Sequence, residues 1–156
     1  MKKYGIGAAV LAFICVVMGV HGARAAEGAD VMATIDRAMD ALNGGNRAAW
    51  IASCAVPAAI IDDIPPHTWQ GVSACGDWWR AFAADAKNNH VTDGAVRLGT
   101  PLHLAITGSV AYVVCPATYA YRQSGKPRTE SGIFTFAMKR SASGWLITAW
   151  SWTQHS

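Results

Sequence analysis

Ala59-Ile60-Ile61-Asp62-Asp63-Ile64-Pro65-Pro66-His67-Thr68-Trp69-Gln70-Gly71 is the stretch on which the reading of this chain turns. An apolar run ends on two carboxylates. Two prolines then stop regular structure, because proline cannot donate to a strand ladder. The expectation is a short strand over about 58–63 that turns into the mouth of a pocket, with His67 and Trp69 in a loop at the rim.

Helices surround this stretch. Upstream, Met32, Ile35, Met39 and Leu42 form one apolar stripe at helical spacing, with Asp30 as the cap and Asn43-Gly44-Gly45 as the stop. Asn46 caps a second, short helix through about residue 53, with Trp50 and Ile51 on its apolar face. Downstream, Val72, Cys75, Trp79, Phe82 and Ala86 again step at helical spacing, with Trp78 at the stripe's edge and Asn88-Asn89 as the end.

After His90 the periodicity becomes alternating. Four β segments are expected, at about 91–104, 109–122, 130–139 and 145–153, with Thr107-Gly108, Ser124-Gly125 and Ser143-Gly144 as turns. Gly99-Thr100-Pro101 marks a bulge or sharp bend in the first. Phe134, Phe136 and Met138 fall on one face and Ile133 on the other; Trp145 and Ile147 oppose Leu146, Trp150 and Trp152. Helices on one side and strands on the other give an α+β domain: three N-terminal helices packed on a strongly bent, mostly antiparallel sheet. The sheet's outer face is too apolar to meet only water, so a partner subunit is expected there.

The start of the chain reads as an address. Lys2 and Lys3, an apolar run over 8–20 and the small-x-small site Ala23-Arg24-Ala25 form the layout of a secretory signal peptide, cut before Ala26. Removing residues 1–25 from 156 leaves 131, one ordinary domain over 26–156. Lys2, Lys3 and Arg24 leave with the leader, so thirteen basic residues become ten, against ten acidic. A neutral chain without a run of like charge lacks the basic patch that nucleic acid or an anionic membrane surface requires. The expected compartment is the periplasm or the exterior, with no membrane contact after cleavage.

Cys54, Cys75 and Cys115 remain in that domain. Export permits a disulfide. A Cys54–Cys75 bridge would close a loop of about 20 residues; the alternative is a pair of buried thiols. No cysteine or histidine spacing fits zinc, and no glycine-rich phosphate loop or nucleophile elbow is present, so no metal and no cofactor are expected.

The order of elements resembles the nuclear transport factor 2-like superfamily, in particular its SnoaL-like branch. Ala41-Leu42-Asn43-Gly44-Gly45-Asn46, Ile60-Ile61-Asp62-Asp63 and Gly144-Trp145-Leu146-Ile147 carry the resemblance, which covers about 30–153. It implies a cone-shaped half-barrel, a pocket between helices and sheet, and homodimers through the outer sheet face. In the ketosteroid isomerase branch a catalytic carboxylate follows an acid at the end of this strand and precedes proline, and Asp63 matches that position. That branch also places a tyrosine on the first helix, where this chain has Ala38, so its oxyanion hole is missing.

On a strand Asp62 and Asp63 point to opposite faces, and Asp63 is expected to face the pocket and Asp62 the solvent. Half-buried among apolar walls, Asp63 would have a raised pKa and serve as general base. His67 could shuttle protons, and Tyr119 or Tyr121 could donate a hydrogen bond. Trp69, Trp79, Phe82, His103, Tyr121 and Trp150 are the candidate ligand-binding residues. The alternatives are plain ones: a solvated acid pair, a surface histidine, cross-strand tyrosine packing and core tryptophans. Three functional readings follow. The first is an exported domain that binds a small apolar or aromatic molecule. The second is a cofactor-free lyase, isomerase or hydrolase with Asp63 as base, His67 and Tyr119 assisting. The third is a purely structural role in a larger complex, which would leave the cone filled by side chains.

Overall fold

The computed structural model describes residues 9–155, with side chains from Ala25 onward. Residues 1–8 of the expected signal segment lie outside the described residues, and of the rest only the helical backbone is described before Ala25. Three helices, α1 (Ala9–Asn43), α2 (Arg47–Ala52) and α3 (Ala74–Asn88), accompany seven strands. These are β1 (Cys54–Ile61), β2 (Thr68–Gly71), β3 (Val91–Leu98), β4 (His103–Thr107), β5 (Val110–Gln123), β6 (Lys126–Ser141) and β7 (Gly144–His155).

Helix α1 does not begin at Asp30. Nothing between Ala25 and Asp30 breaks a helix, since alanine and glutamate favour it and one glycine is tolerated. Its buried stripe is Val31, Thr34, Ile35, Ala38 and Met39, and the helix contacts β3 and β7. At its C-terminus the Asn43 side chain does more than stop the helix. Its Nδ2 donates to the Val96 carbonyl at 2.8 Å and its Oδ1 accepts the Val96 N–H at 2.7 Å. The amide thus pairs with the free edge of β3 as a strand would, and ties α1 to the sheet.

The sheet runs β2-β1-β7-β6-β5-β3, with β4 also on β5. All pairs are antiparallel except β1 with β7. Thr68–Gly71, expected as loop, is instead strand β2, with Trp69 opposite Ile60 and buried in the core. The segment expected over 91–104 is divided at Gly99-Thr100-Pro101: β3 and β4 pair with successive parts of β5.

A bulge changes the facing of β7. Met138 pairs with Ile147 but Ala137 pairs with Ala149, so Thr148 is the extra residue. One inserted residue flips every following side chain. Trp145, Ile147 and Trp150 therefore all lie in the core with Phe134, Phe136 and Met138, and Trp152 packs against them. The expected division of Trp145 and Ile147 from Trp150 and Trp152 is corrected by that bulge.

Cys54 opens β1 and Cys75 lies in the first turn of α3; the two form a disulfide, with Cα atoms 6.6 Å apart. Cys115 is a buried free thiol on β5. Burial, with Asp36 adding to it, pushes that thiol's pKa up.

Two stability effects follow. Asn43→Ala removes two hydrogen bonds between α1 and β3 and should cost about 2 kcal/mol, read as a lower urea midpoint with an unchanged slope. The bridge closes a segment with a sequence separation of 21. Its removal in a Cys54→Ala/Cys75→Ala variant should cost about 3 kcal/mol, and reductant should lower the melting temperature of the parent but not of the variant.

Candidate functional site

Beyond Ile60 the alternation of β1 fixes the site. Ile60 is fully buried, Ile61 is 59% exposed, and Asp62 is 8% exposed. Counting in twos from the core side of the strand reaches Asp62. The inward carboxylate is therefore Asp62, and Asp63 lies exposed at the cavity mouth, the reverse of the sequence expectation. The sequence held no signal for this phase, because the run Ala58 to Ile61 is apolar on both faces.

The Asp62 carboxylate is held on both oxygens. Its Oδ2 accepts the Trp78 indole N–H at 2.6 Å, and its Oδ1 accepts the Asp63 backbone N–H at 2.7 Å. Burial pushes its pKa up to about 7; the neighbouring Asp63 carboxylate adds to the rise, while the Trp78 hydrogen bond works against it. Near neutral pH this carboxyl is thus poised between acid and base.

Asp62 opens onto a cavity of about 310 Å³ between α3, the end of α1 and the inner face of the sheet. Aromatic side chains form much of its wall: Trp78, Phe82, Tyr119, Tyr121, Phe134, Trp150 and Trp152. Trp78 stacks on Phe82 at 5.1 Å and meets Trp150 edge-on at 4.8 Å. Two glycines make room for two of these rings. A Cβ at Gly94 would lie 2.6 Å from the Tyr119 hydroxyl, and one at Gly132 would lie 2.5 Å from the Trp152 ring. Each ring therefore lies against a neighbouring strand where no side chain stands.

Tyr121 stacks on Tyr119 at 4.8 Å and donates its hydroxyl proton to Glu130 Oε1 at 2.5 Å. That bond above all raises the Tyr121 pKa to about 12. The Tyr119 pKa also rises to about 12, chiefly by burial, with the negative charges of Glu130 and Asp85 adding. Both tyrosines therefore stay protonated at physiological pH and serve as donors rather than bases.

The remaining sequence candidates fall elsewhere. His67 is exposed in the turn between β1 and β2. Its backbone N–H donates to the Ile64 carbonyl at 2.8 Å and its own carbonyl accepts the Asp62 N–H at 3.1 Å, so it closes the turn and does not line the cavity. His103 lies on the outer sheet face, 5.9 Å from the Tyr112 ring, and cannot converge with His67 on one site. Trp69 belongs to the core behind β1. Trp79 flanks Trp50 at 6.3 Å and is displaced from the cavity by Trp78, because α3 is rotated from the expected stripe: Ala74, Cys75 and Trp78 are its buried residues and Val72 is exposed before it. Asp62, Trp78, Asp85, Glu130 and Trp152 line the cavity, although the sequence marks none of them as a ligand or catalytic residue. The spacing Cys75, Trp78, Phe82, Asp85 is the available signal for the true phase of α3. Among the described residues no group of acidic, histidine or cysteine side chains is arranged to hold a metal.

No protein-family model matches the sequence, and no curated protein is detectably similar to it. Solved structures are similar in fold. A ketosteroid isomerase-like protein from Erwinia carotovora atroseptica matches at 16% identity and a TM-score of 0.66, covering 83% of this chain and 97% of its own. A nuclear transport factor 2-like protein with a cystatin-like fold from Novosphingobium aromaticivorans matches at 14% identity and 0.68, covering 95% and 92%. The hub of CaMKII from S. rosetta matches at 16% and 0.65, covering 82% and 96%. At these identities the likeness establishes the fold: the chain has the nuclear transport factor 2-like fold.

Carboxyl carbon resonances followed by NMR should contain one aspartate that titrates near pH 7 and is absent from Asp62→Asn. The sign for stability is set by the raised value. The unfolded carboxyl ionises near pH 4, so the folded state loses stability through this group as pH rises from about 4 to about 7.

Proposed function

We propose that this chain is an exported small-molecule-binding domain of the SnoaL-like kind, periplasmic or secreted, whose helices and bent sheet close as a cone around its ligand. The observation that carries the reading is the 310 Å³ cavity with its aromatic walls, a volume suited to a small organic molecule. Aromatic faces favour an apolar or aromatic ligand body. The leader-like sequence over 1–25 supports export, and so does the Cys54–Cys75 bridge, since disulfides persist in oxidising compartments. The outer sheet face supports a homodimer: Val110 and Tyr112 are exposed there, beside half-buried Val114 and Ile133. The likeness to a hub is compatible with it.

A second reading rests on Asp62. A buried carboxyl whose pKa lies at about 7, beside a cavity, can take a proton from a substrate and return it without any cofactor. In this reading Asp62, not Asp63, is the general base of a lyase, isomerase or hydrolase, and the protonated Tyr119 is a hydrogen-bond donor.

Native mass spectrometry of the protein recovered from its host tests the first reading. The expected species begins at Ala26, carries one disulfide, is dimeric and retains a small organic molecule. A chain that begins at Met1 and is found only in membranes would refute export, and an empty protein that takes up no small molecule would refute the binding reading. Should turnover of a retained molecule be found, Asp62→Asn should abolish it while Asp63→Asn leaves it within a few-fold, with melting curves as the folding control.

A further inference from the structure

The cavity's charge is one-sided. Asp62, Asp63, Asp85 and Glu130 line it, and among the described residues no lysine, arginine or histidine does. The tyrosines report the same field, since Glu130 and Asp85 both raise the Tyr119 pKa. Arg128 acts on Tyr121 in the opposite sense, but it is exposed and does not line the cavity. The domain over 26–156 has as many basic as acidic residues, so this local excess is a property of the cavity and not of the composition.

Acidic side chains on their own would be a solvated patch. Here they share the cavity with seven aromatic side chains whose ring faces are electron-rich, an independent feature with the same preference. A cation above an aromatic face is attracted by the ring's quadrupole, most strongly when both are desolvated. Carboxylates a few ångströms away attract it further, and a low-dielectric wall strengthens that attraction. A carboxylate or phosphate ligand meets repulsion from both features. A neutral ligand leaves the acids without a counter-charge.

We propose that the cavity takes an organic cation: an amine or quaternary ammonium group on a compact, apolar or aromatic body. The ammonium lies toward Asp85 and Glu130 and the apolar body against Trp78, Phe82 and Trp150. This deepens the binding reading above and rests on it.

The test uses two probes of the same shape and different charge, phenyltrimethylammonium and tert-butylbenzene. Trp78, Trp150 and Trp152 line the cavity, so tryptophan fluorescence of the purified protein reports both. At pH 7.5 and low salt the ammonium should bind at least about tenfold more tightly than its neutral isostere. In an Asp85→Asn/Glu130→Gln variant the two affinities should approach each other; the introduced amide oxygen can still accept the Tyr121 hydroxyl. Equal or tighter binding of tert-butylbenzene overturns the cation preference and leaves the binding reading standing. An undiminished preference in the double variant also overturns it, because the acids would not be its source. Binding of neither probe removes both the preference and the binding reading. The comparison of probes on the unaltered protein does not depend on whether the variant folds.

Discussion

The hydrogen bond from the Trp78 indole to the Asp62 carboxylate joins the core of this protein to its cavity. A carboxylate taken out of water is strongly disfavoured unless it is hydrogen-bonded, and here both oxygens are. The bond fixes Trp78 in one orientation, and Trp78 in turn packs against Trp50 at 4.9 Å and Trp150 at 4.8 Å, which bring α2 and β7 into the same cluster. The Trp50, Trp145 and Trp150 indole nitrogens are buried without a protein partner, so the Trp78 bond is unlike theirs in tying an indole of this core to an acid. Strand β1 is thus joined to α3 at both of its ends, covalently at Cys54–Cys75 and through a charged hydrogen bond at Asp62–Trp78.

That double attachment leaves a space. Helix α3 cannot close fully on the sheet where Tyr119 and Trp152 occupy the ground over Gly94 and Gly132. The rings stand as walls and the cavity lies among them. The acids arrive there from separate elements or their ends: Asp62 and Asp63 after β1, Asp85 on α3 and Glu130 on β6. Burial, with the adjacent Asp63 carboxylate adding to it, explains why the Asp62 pKa is raised.

Periodicity made much of the architecture legible. The change from helical spacing to alternation after His90 is a local property, and so are the turns at Thr107-Gly108, Ser124-Gly125 and Ser143-Gly144. Phe134, Phe136 and Met138 face inward as alternation requires. Phe82, Tyr119, Tyr121 and Trp150 line the cavity. Three phases were not legible. The bulge at Thr148 has no sequence marker and changes the face of Trp150 and Trp152. The apolar run before Asp62 reads equally well on either face. The first turn of α3 offers two stripes, one through Trp78 and one through Trp79, and its rotation depends on where Cys75 is held.

The sequence by itself determined which segments are helix and which are long strand, that helices precede the long strands, and that an acid pair would lie at the end of a short strand beside them. These follow from spacing, capping and turn chemistry, which act over a few residues. Only the tertiary structure decided which acid enters the cavity, that His67 and His103 stay apart, and that Asp85 and Glu130 face the same space as Asp62. Those outcomes depend on contacts between distant residues: the Trp78 indole reaching Asp62 across 16 positions, and the Asn43 amide reaching Val96 across 53. A one-residue change of strand phase is almost free locally, and it is the packing of the whole core that selects between the two faces.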